Sequence, residues 1–296
     1  MAAARPFFVA DPPSLLARIA TALFVVAAGA LFSGFSSLER FAAPSSKLSD
    51  RHWLQSGSAR FDDNAAYQDF LDTYLRTDRN GVNRVAYGRV SAADRKRLDA
   101  YIDSLAAQKV TALARADQLA LWINLYNAKT IAIILDNYPV SSIRDIRSGT
   151  FSAGPWNRKV VTVEGRSLSL NDIEHGIIRP VFKDPKIHYV INCAAVGCPN
   201  LGKKAYSGAT LSKAMDRAAR TFINSPHGVS VAADGSVTLS KIFNWFRADF
   251  GRSEADVLKH VASYADPQVR AALAAPQSVT YKYDWALNSR AGGSGS

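Results

Sequence analysis

Two cysteines, Cys193 and Cys198, are the only ones in the chain, and they stand five residues apart. They lie between an apolar run, Ile187-His-Tyr-Val-Ile-Asn192, and a turn, Gly197-Cys-Pro-Asn200. A thiol becomes a nucleophile when a nearby base takes its proton. His175 is upstream in Leu170-Asn-Asp-Ile-Glu-His-Gly-Ile-Ile-Arg179, a stretch expected as a short helix capped by Asn171 with acids in its first turn. Cys193 leaves an expected strand and enters Ala194-Ala-Val196, where one helical turn would offer backbone N–H groups to a thiolate or an oxyanion. Cys198 precedes proline, which biases it away from the helical region. Cys193 is therefore the expected nucleophile and His175 its base. Glu174, adjacent on the helix, points about 100° away from His175, so an amide such as Asn124 is the better group to orient the imidazole. His188 is expected as a structural residue or a wall of the site; His52, His227 and His260 have no supporting context.

Other chemistry is open to the same residues. A disulfide needs Cα atoms within about 7 Å, whereas five extended residues span roughly 17 Å. Only a tight turn would join the pair, and Gly197 with Pro199 can supply one. His175, His188, Cys193 and Cys198 are also zinc-type ligands, which keeps a metal site as a lesser alternative. The leading reading needs no metal and no other cofactor. Cys-x-x-Cys is absent, which counts against a thiol oxidoreductase.

These groups must be carried by regular elements. Helical spacing of apolar residues predicts helices over 64–75, 92–105, 116–135, 211–222 and 254–264. The longest, Ala116 to Leu135, has a wide apolar face with Asn124 and Asn127 beside it; there they either bond a neighbouring backbone or orient a catalytic group. Trp156 to Val163 and Arg166 to Leu170 are expected to pair across Glu164-Gly165, and Val229–Val231 with Val237–Leu239 across Asp234-Gly235. Val82 to Tyr87 is expected as a short strand. Helices mixed with hairpins, without repeating strand-helix units, predict an α+β fold with a single main domain.

The N-terminus suggests export. A basic flank, residues 1–18, precedes an uncharged apolar run at 19–38, about the length that crosses a bilayer. This run is expected as a cleaved signal peptide or an uncleaved membrane anchor. Residues 39–60 are expected as a linker, 61–288 as the folded domain, and 289–296, rich in Gly and Ser, as a flexible tail. Residues 40 onward should then lie in the periplasm or another extracytoplasmic space, where paired thiols tend to be oxidised. The formal net charge of +11 favours anionic envelope components as partners and, in an exported protein, argues against nucleic acid. A chain of 296 residues can bury a real core, so neither cysteine is needed as a staple.

Several phrases together resemble the bacterial and plant family known as domain of unknown function 547. They are Leu121-Trp-Ile-Asn-Leu-Tyr-Asn-Ala128, Asp172-Ile-Glu-His-Gly-Ile-Ile-Arg179, Ile187-His-Tyr-Val-Ile-Asn-Cys193 with Gly197-Cys-Pro-Asn-Leu201, Phe243-Asn-Trp-Phe-Arg-Ala-Asp-Phe-Gly251, and Tyr283-Asp-Trp-Ala-Leu-Asn288. The resemblance spans roughly Tyr67 to Asn288. It implies kinship with papain-like or transglutaminase-like thiol enzymes in a rearranged chain order, with Cys193 matching the nucleophile and His175 the base. Trp122, Asn124 and Asn127 match a family helix that would line the site. Apart from the resemblance, His188 and Cys198 are expected as further substrate-binding neighbours. The function expected first is an exported hydrolase or acyltransferase acting on an amide or isopeptide bond. A catalytically silent envelope scaffold with a Cys193–Cys198 disulfide is the alternative.

Overall fold

A helix buried on almost every side organises the molecule. In the computed structural model, which describes residues 46–147 and 154–290, α1 (Ala65–Tyr74) and α2 (Ala92–Ala106) precede this central α3 (Arg115–Asn137). A helix apolar all round belongs inside a protein, and α3 is buried at almost every position from Asp117 to Ile134, its polar residues included. Ala120, Ala128 and Ala132 keep its surface narrow enough for close neighbours. Trp53, Tyr67, Leu98, Ile102, Ile173 and Ile177 pack in the same core cluster.

The two expected hairpins are present, and the short strand expected after the turn at 78–81 has a partner not anticipated from sequence. β1 (Leu75–Thr77) pairs antiparallel with β2 (Asn83–Val85), and β3 (Lys159–Val163) with β4 (Arg166–Ser169). Glu164 and Gly165 both turn with positive φ, 47° and 76°, as a two-residue hairpin requires. Glu164 can hold that unusual conformation because its carboxylate accepts from Thr111 N (2.8 Å), Thr111 Oγ1 (3.0 Å) and His52 Nε2 (2.9 Å). β5 (Val229–Val231) and β6 (Val237–Ser240) form the other hairpin. A strand not anticipated from sequence, β7 (Val279–Lys282), joins β6 in parallel, with Val237 opposite Val279.

A helix through Arg179–Phe182 (α4) follows β4, then α5 (Leu211–Ile223), the short α6 (Ile242–Trp245) and α7 (Arg247–Phe250), α8 (Glu254–Tyr264) and α9 (Pro267–Ala274). Tyr189, Phe222, Phe243, Phe250 and Val257 centre a second core cluster among these later elements. The described body is a single α+β domain, as expected.

Three expectations need correction. The run Ile187–Asn192 is not a strand: Pro185–Tyr189 forms a 3-10 helix, started by Asp184, whose side chain accepts from Lys186 N, with Pro185 in the first helical position. The stretch around His175 is helical, but Asp172–Ile178 is wound as a π-helix and Asn171 does not cap it. Ser169 does so instead, its hydroxyl accepting from Asp172 N at 3.1 Å while the Asp172 carboxylate accepts from Ser169 N at 2.7 Å. The described part of the expected linker, residues 46–60, packs on the domain. Lys47 N and Ser49 N donate to the carbonyls of His175 and Gly176, and Trp53 is buried. The N-terminal segments, including 19–38, and residues 291–296 of the expected tail lie outside the described residues. Among the described residues no helix is long and apolar enough to cross a membrane.

Candidate functional site

The cysteine segment is built around one amide from the central helix. Asn127 Nδ2 donates to Val190 O and its Oδ1 accepts from Asn192 N, both at 2.9 Å. Asn192 closes the next turn, donating through Nδ2 to Pro199 O (2.8 Å) while Oδ1 accepts from Ala194 N (2.9 Å). Ala194 takes a left-handed φ of 63°, so the helical turn expected after Cys193 does not form. The backbone N–H groups of Val196 and Gly197 donate to Ala286 O and Asp284 O, both at 2.8 Å, and Cys198 N donates to Ala195 O. These donors are engaged with the fold, and the expected oxyanion-binding turn is absent. Gly197 is required by the approach of residue 284: a Cβ there would stand 2.6 Å from Asp284 N.

This turn brings Cys193 and Cys198 together as a disulfide, with Cα atoms 6.5 Å apart. The Tyr283 hydroxyl contacts both sulfurs, at 3.2 Å from Cys193 Sγ and 3.0 Å from Cys198 Sγ. Cys193 is half-buried and Cys198 buried. Tyr283 is a site residue that sequence reasoning missed; its one signal was its place at the head of the last family-like phrase. Its ring stacks into a wall of half-buried aromatics, 4.8 Å from Trp245 and 4.7 Å from Trp285, with Trp156 5.9 Å beyond Trp285.

His175 faces other partners. Arg179 Nη1 lies 3.0 Å from His175 Nδ1. A guanidinium can only donate, so Nδ1 accepts and the imidazole is neutral with its proton on Nε2. The lone pair a general base would use is thus held by Arg179, and Glu174, 3.8 Å away, has no Nδ1 proton to meet. Burial lowers the His175 pKa, reinforced by Arg179 and His188 and opposed by Glu174 and Asp249. His188 Nε2 donates to Asp249 Oδ2 at 2.7 Å, and Arg179 Nε donates to the same oxygen at 2.6 Å. Phe246 stacks on the His188 ring, with centroids 4.5 Å apart.

A histidine held neutral by the fold makes stability depend on pH. The folded pKa lies below the unfolded value of about 6.5, so the contribution is fully present above that pH and is lost as pH falls below it. His175→Gln should therefore flatten the fall in urea midpoint between pH 7.5 and 5. Part of the fall should survive, because burial also lowers His260. An unchanged slope would contradict the neutral assignment.

The other expected site residues lie apart from the sulfurs. Asn124 Nδ2 donates to Tyr206 O (2.8 Å) and Asn64 Oδ1 (3.0 Å), and its Oδ1 accepts from Tyr206 N (3.0 Å). It pins a loop and does not orient His175. Trp122 is 1% exposed and packs edge-on against Trp53, with centroids 5.1 Å apart. Of the seven candidates, the structure joins Cys193 with Cys198, links His175 to His188 through Arg179 and Asp249, and ties Asn127 to the backbone before Cys193. No cluster of three or more metal-ligating side chains occurs among the described residues.

The model of the family described as protein of unknown function, DUF547, matches residues 110–223. This stretch is similar to the DUF547 family. It runs from the turn before α3 to the end of α5 and contains all seven candidate residues. The DUF547 match confirms the resemblance read from the earlier phrases, while Phe243–Gly251 and Tyr283–Asn288 lie beyond it. No curated protein and no solved structure matches the chain.

Proposed function

We propose that this DUF547 protein is exported and serves in the cell envelope as a binding protein, with Cys193–Cys198 as a structural disulfide. The observation that carries the reading is that both sulfurs are spent on each other, under a single phenol. The disulfide closes the loop whose Val196 and Gly197 amides hold residues 284–286, so it also fixes Tyr283 and Trp285 beside it. An oxidising space is where such a bond persists. The uncharged apolar run at 19–38, of bilayer-crossing length, supports the same placement, and the net charge of +11 suits anionic envelope components as partners.

The structural reading makes the two cysteines equivalent. Closing a loop this short contributes about 2 kcal/mol through the unfolded chain. Cys193→Ser and Cys198→Ser should therefore each lower the urea-derived stability by about that amount, to the same extent. The double variant should fall no further than either single one. A loss confined to one variant would count against the disulfide as a structural unit.

A thiol hydrolase or acyltransferase acting on an amide or isopeptide bond is the second reading, with Cys193 as nucleophile. What favours it is that Cys193 is the more exposed sulfur. It requires prior reduction and release of His175 from Arg179 before the imidazole could take a proton. It predicts amide cleavage that appears only in reductant and disappears in Cys193→Ser but not in Cys198→Ser.

A further inference from the structure

Five tryptophans occur in the chain. Trp53 and Trp122 are buried in the core, and the other three gather beside the disulfide with part of each ring in solvent. Trp285 is the hub, 5.9 Å from Trp156, 5.6 Å from Trp245 and 4.7 Å from Tyr283. A cage for a quaternary ammonium needs a gap between rings, and rings in mutual contact leave none. What they offer is a continuous aromatic wall, suited to a ligand that presents a flat C–H face.

The wall also carries a cation at its edge. The Arg144 guanidinium lies over the Trp285 ring, 5.1 Å from its centroid. Arg144 is exposed, as are Arg158 and Lys282, which are close to the wall residues in sequence only. Of the acids close to them in sequence, Asp172 pairs with Lys159, while Asp145 and Asp284 keep their charge and accept from the backbone N–H groups of Ser142 and Ala286. Among the described residues no carboxylate pairs with Arg144, Arg158 or Lys282. Arg144 is therefore left to meet an anionic group of the ligand.

We propose that the wall of Trp156, Trp245, Tyr283 and Trp285, with Arg144 at its edge, binds an acidic polysaccharide. Pyranose rings stack on the indoles and their carboxylates meet Arg144. The inference deepens the envelope-binding reading and rests on it.

The test uses the full chain, followed by tryptophan fluorescence and calorimetry. The probes are a galacturonic acid hexamer, neutral cellohexaose, a single-stranded oligonucleotide and phosphatidylglycerol vesicles. The hexamer should bind and perturb the fluorescence, and cellohexaose should bind more weakly. Trp285→Ala should weaken the hexamer by about tenfold or more, as removal of a central aromatic contact does. Arg144→Gln should narrow the gap between acidic and neutral sugar. Should Trp285→Ala fail to fold, Trp285→Phe and the exposed Arg144→Gln carry the test. No binding of the hexamer, binding indifferent to both substitutions, or equal binding of the oligonucleotide or the vesicles would overturn the proposal. Loss of sugar binding with the disulfide intact defeats the wall alone; a free Cys193 thiol defeats the structural disulfide whatever the sugar does.

Discussion

Asp249→Ala is expected to cost about 3–5 kcal/mol of stability, the usual penalty for removing one partner of a buried charge pair. The carboxylate serves two donors at once, Arg179 Nε and His188 Nε2. Arg179 is buried and lies over the Phe246 ring, its guanidinium 4.8 Å from the ring centroid. Without Asp249 a buried guanidinium loses the hydrogen bond and charge of this carboxylate beside an imidazole. Burial works to raise the Asp249 carboxyl, but the hydrogen bonds and charges of His188 and Arg179 outweigh it and hold its pKa at about 2. Against an ordinary 3.8 this corresponds to about 2 kcal/mol of stability above pH 4. The sign follows from the depressed folded value: the contribution is lost as pH falls from about 4 toward 2. Urea unfolding at pH 7 and acid unfolding from pH 5 to 2 should show the two effects together. A variant within about 0.5 kcal/mol of wild type would mean that the cluster is solvated surface.

The second large effect is expected at Asn127. Asn127→Ala removes both the acceptor for Asn192 N and the donor to Val190 O, leaving two buried backbone groups unpaired. At about 1–3 kcal/mol for each, the loss should reach roughly 2–6 kcal/mol and should fall on the segment entering Cys193. Hydrogen exchange should locate it, with residues 190–198 opening more readily than α3. A stability loss without local opening there would make Asn127 ordinary core and remove its link to the cysteine loop. Asn124→Ala should destabilise the 206 loop instead and leave that segment protected.

Much of the framework was legible locally. Helical spacing located the central helix, and for Glu254–Tyr264 it gave both ends. Glu164-Gly165 and Asp234-Gly235 marked their hairpins because few residues adopt positive φ there. The segment 187–192 was misread because a short apolar run of Ile, Tyr and Val fits a buried strand as well as a helical turn; the Asp184–Pro185 start signal decided it. Asn171 looked like a cap, but Ser169 was placed by the end of β4 to do that work. The site was less legible than the frame. Tyr283 reaches the cysteines across more than eighty residues, and Asp249 reaches Arg179 across 70; no periodicity encodes such pairings. The same distant contacts moved His175 from the role of base to that of a neutral, engaged core histidine.

Intact-mass spectrometry of the full chain after iodoacetamide treatment, across pH and with and without prior reduction, tests the central claim most directly. The structural disulfide predicts no adduct on unreduced protein at any pH and two adducts after reduction, both in the segment containing Cys193 and Cys198. One adduct on unreduced protein below pH 8, mapped to Cys193, would contradict it and make the thiol enzyme the working description.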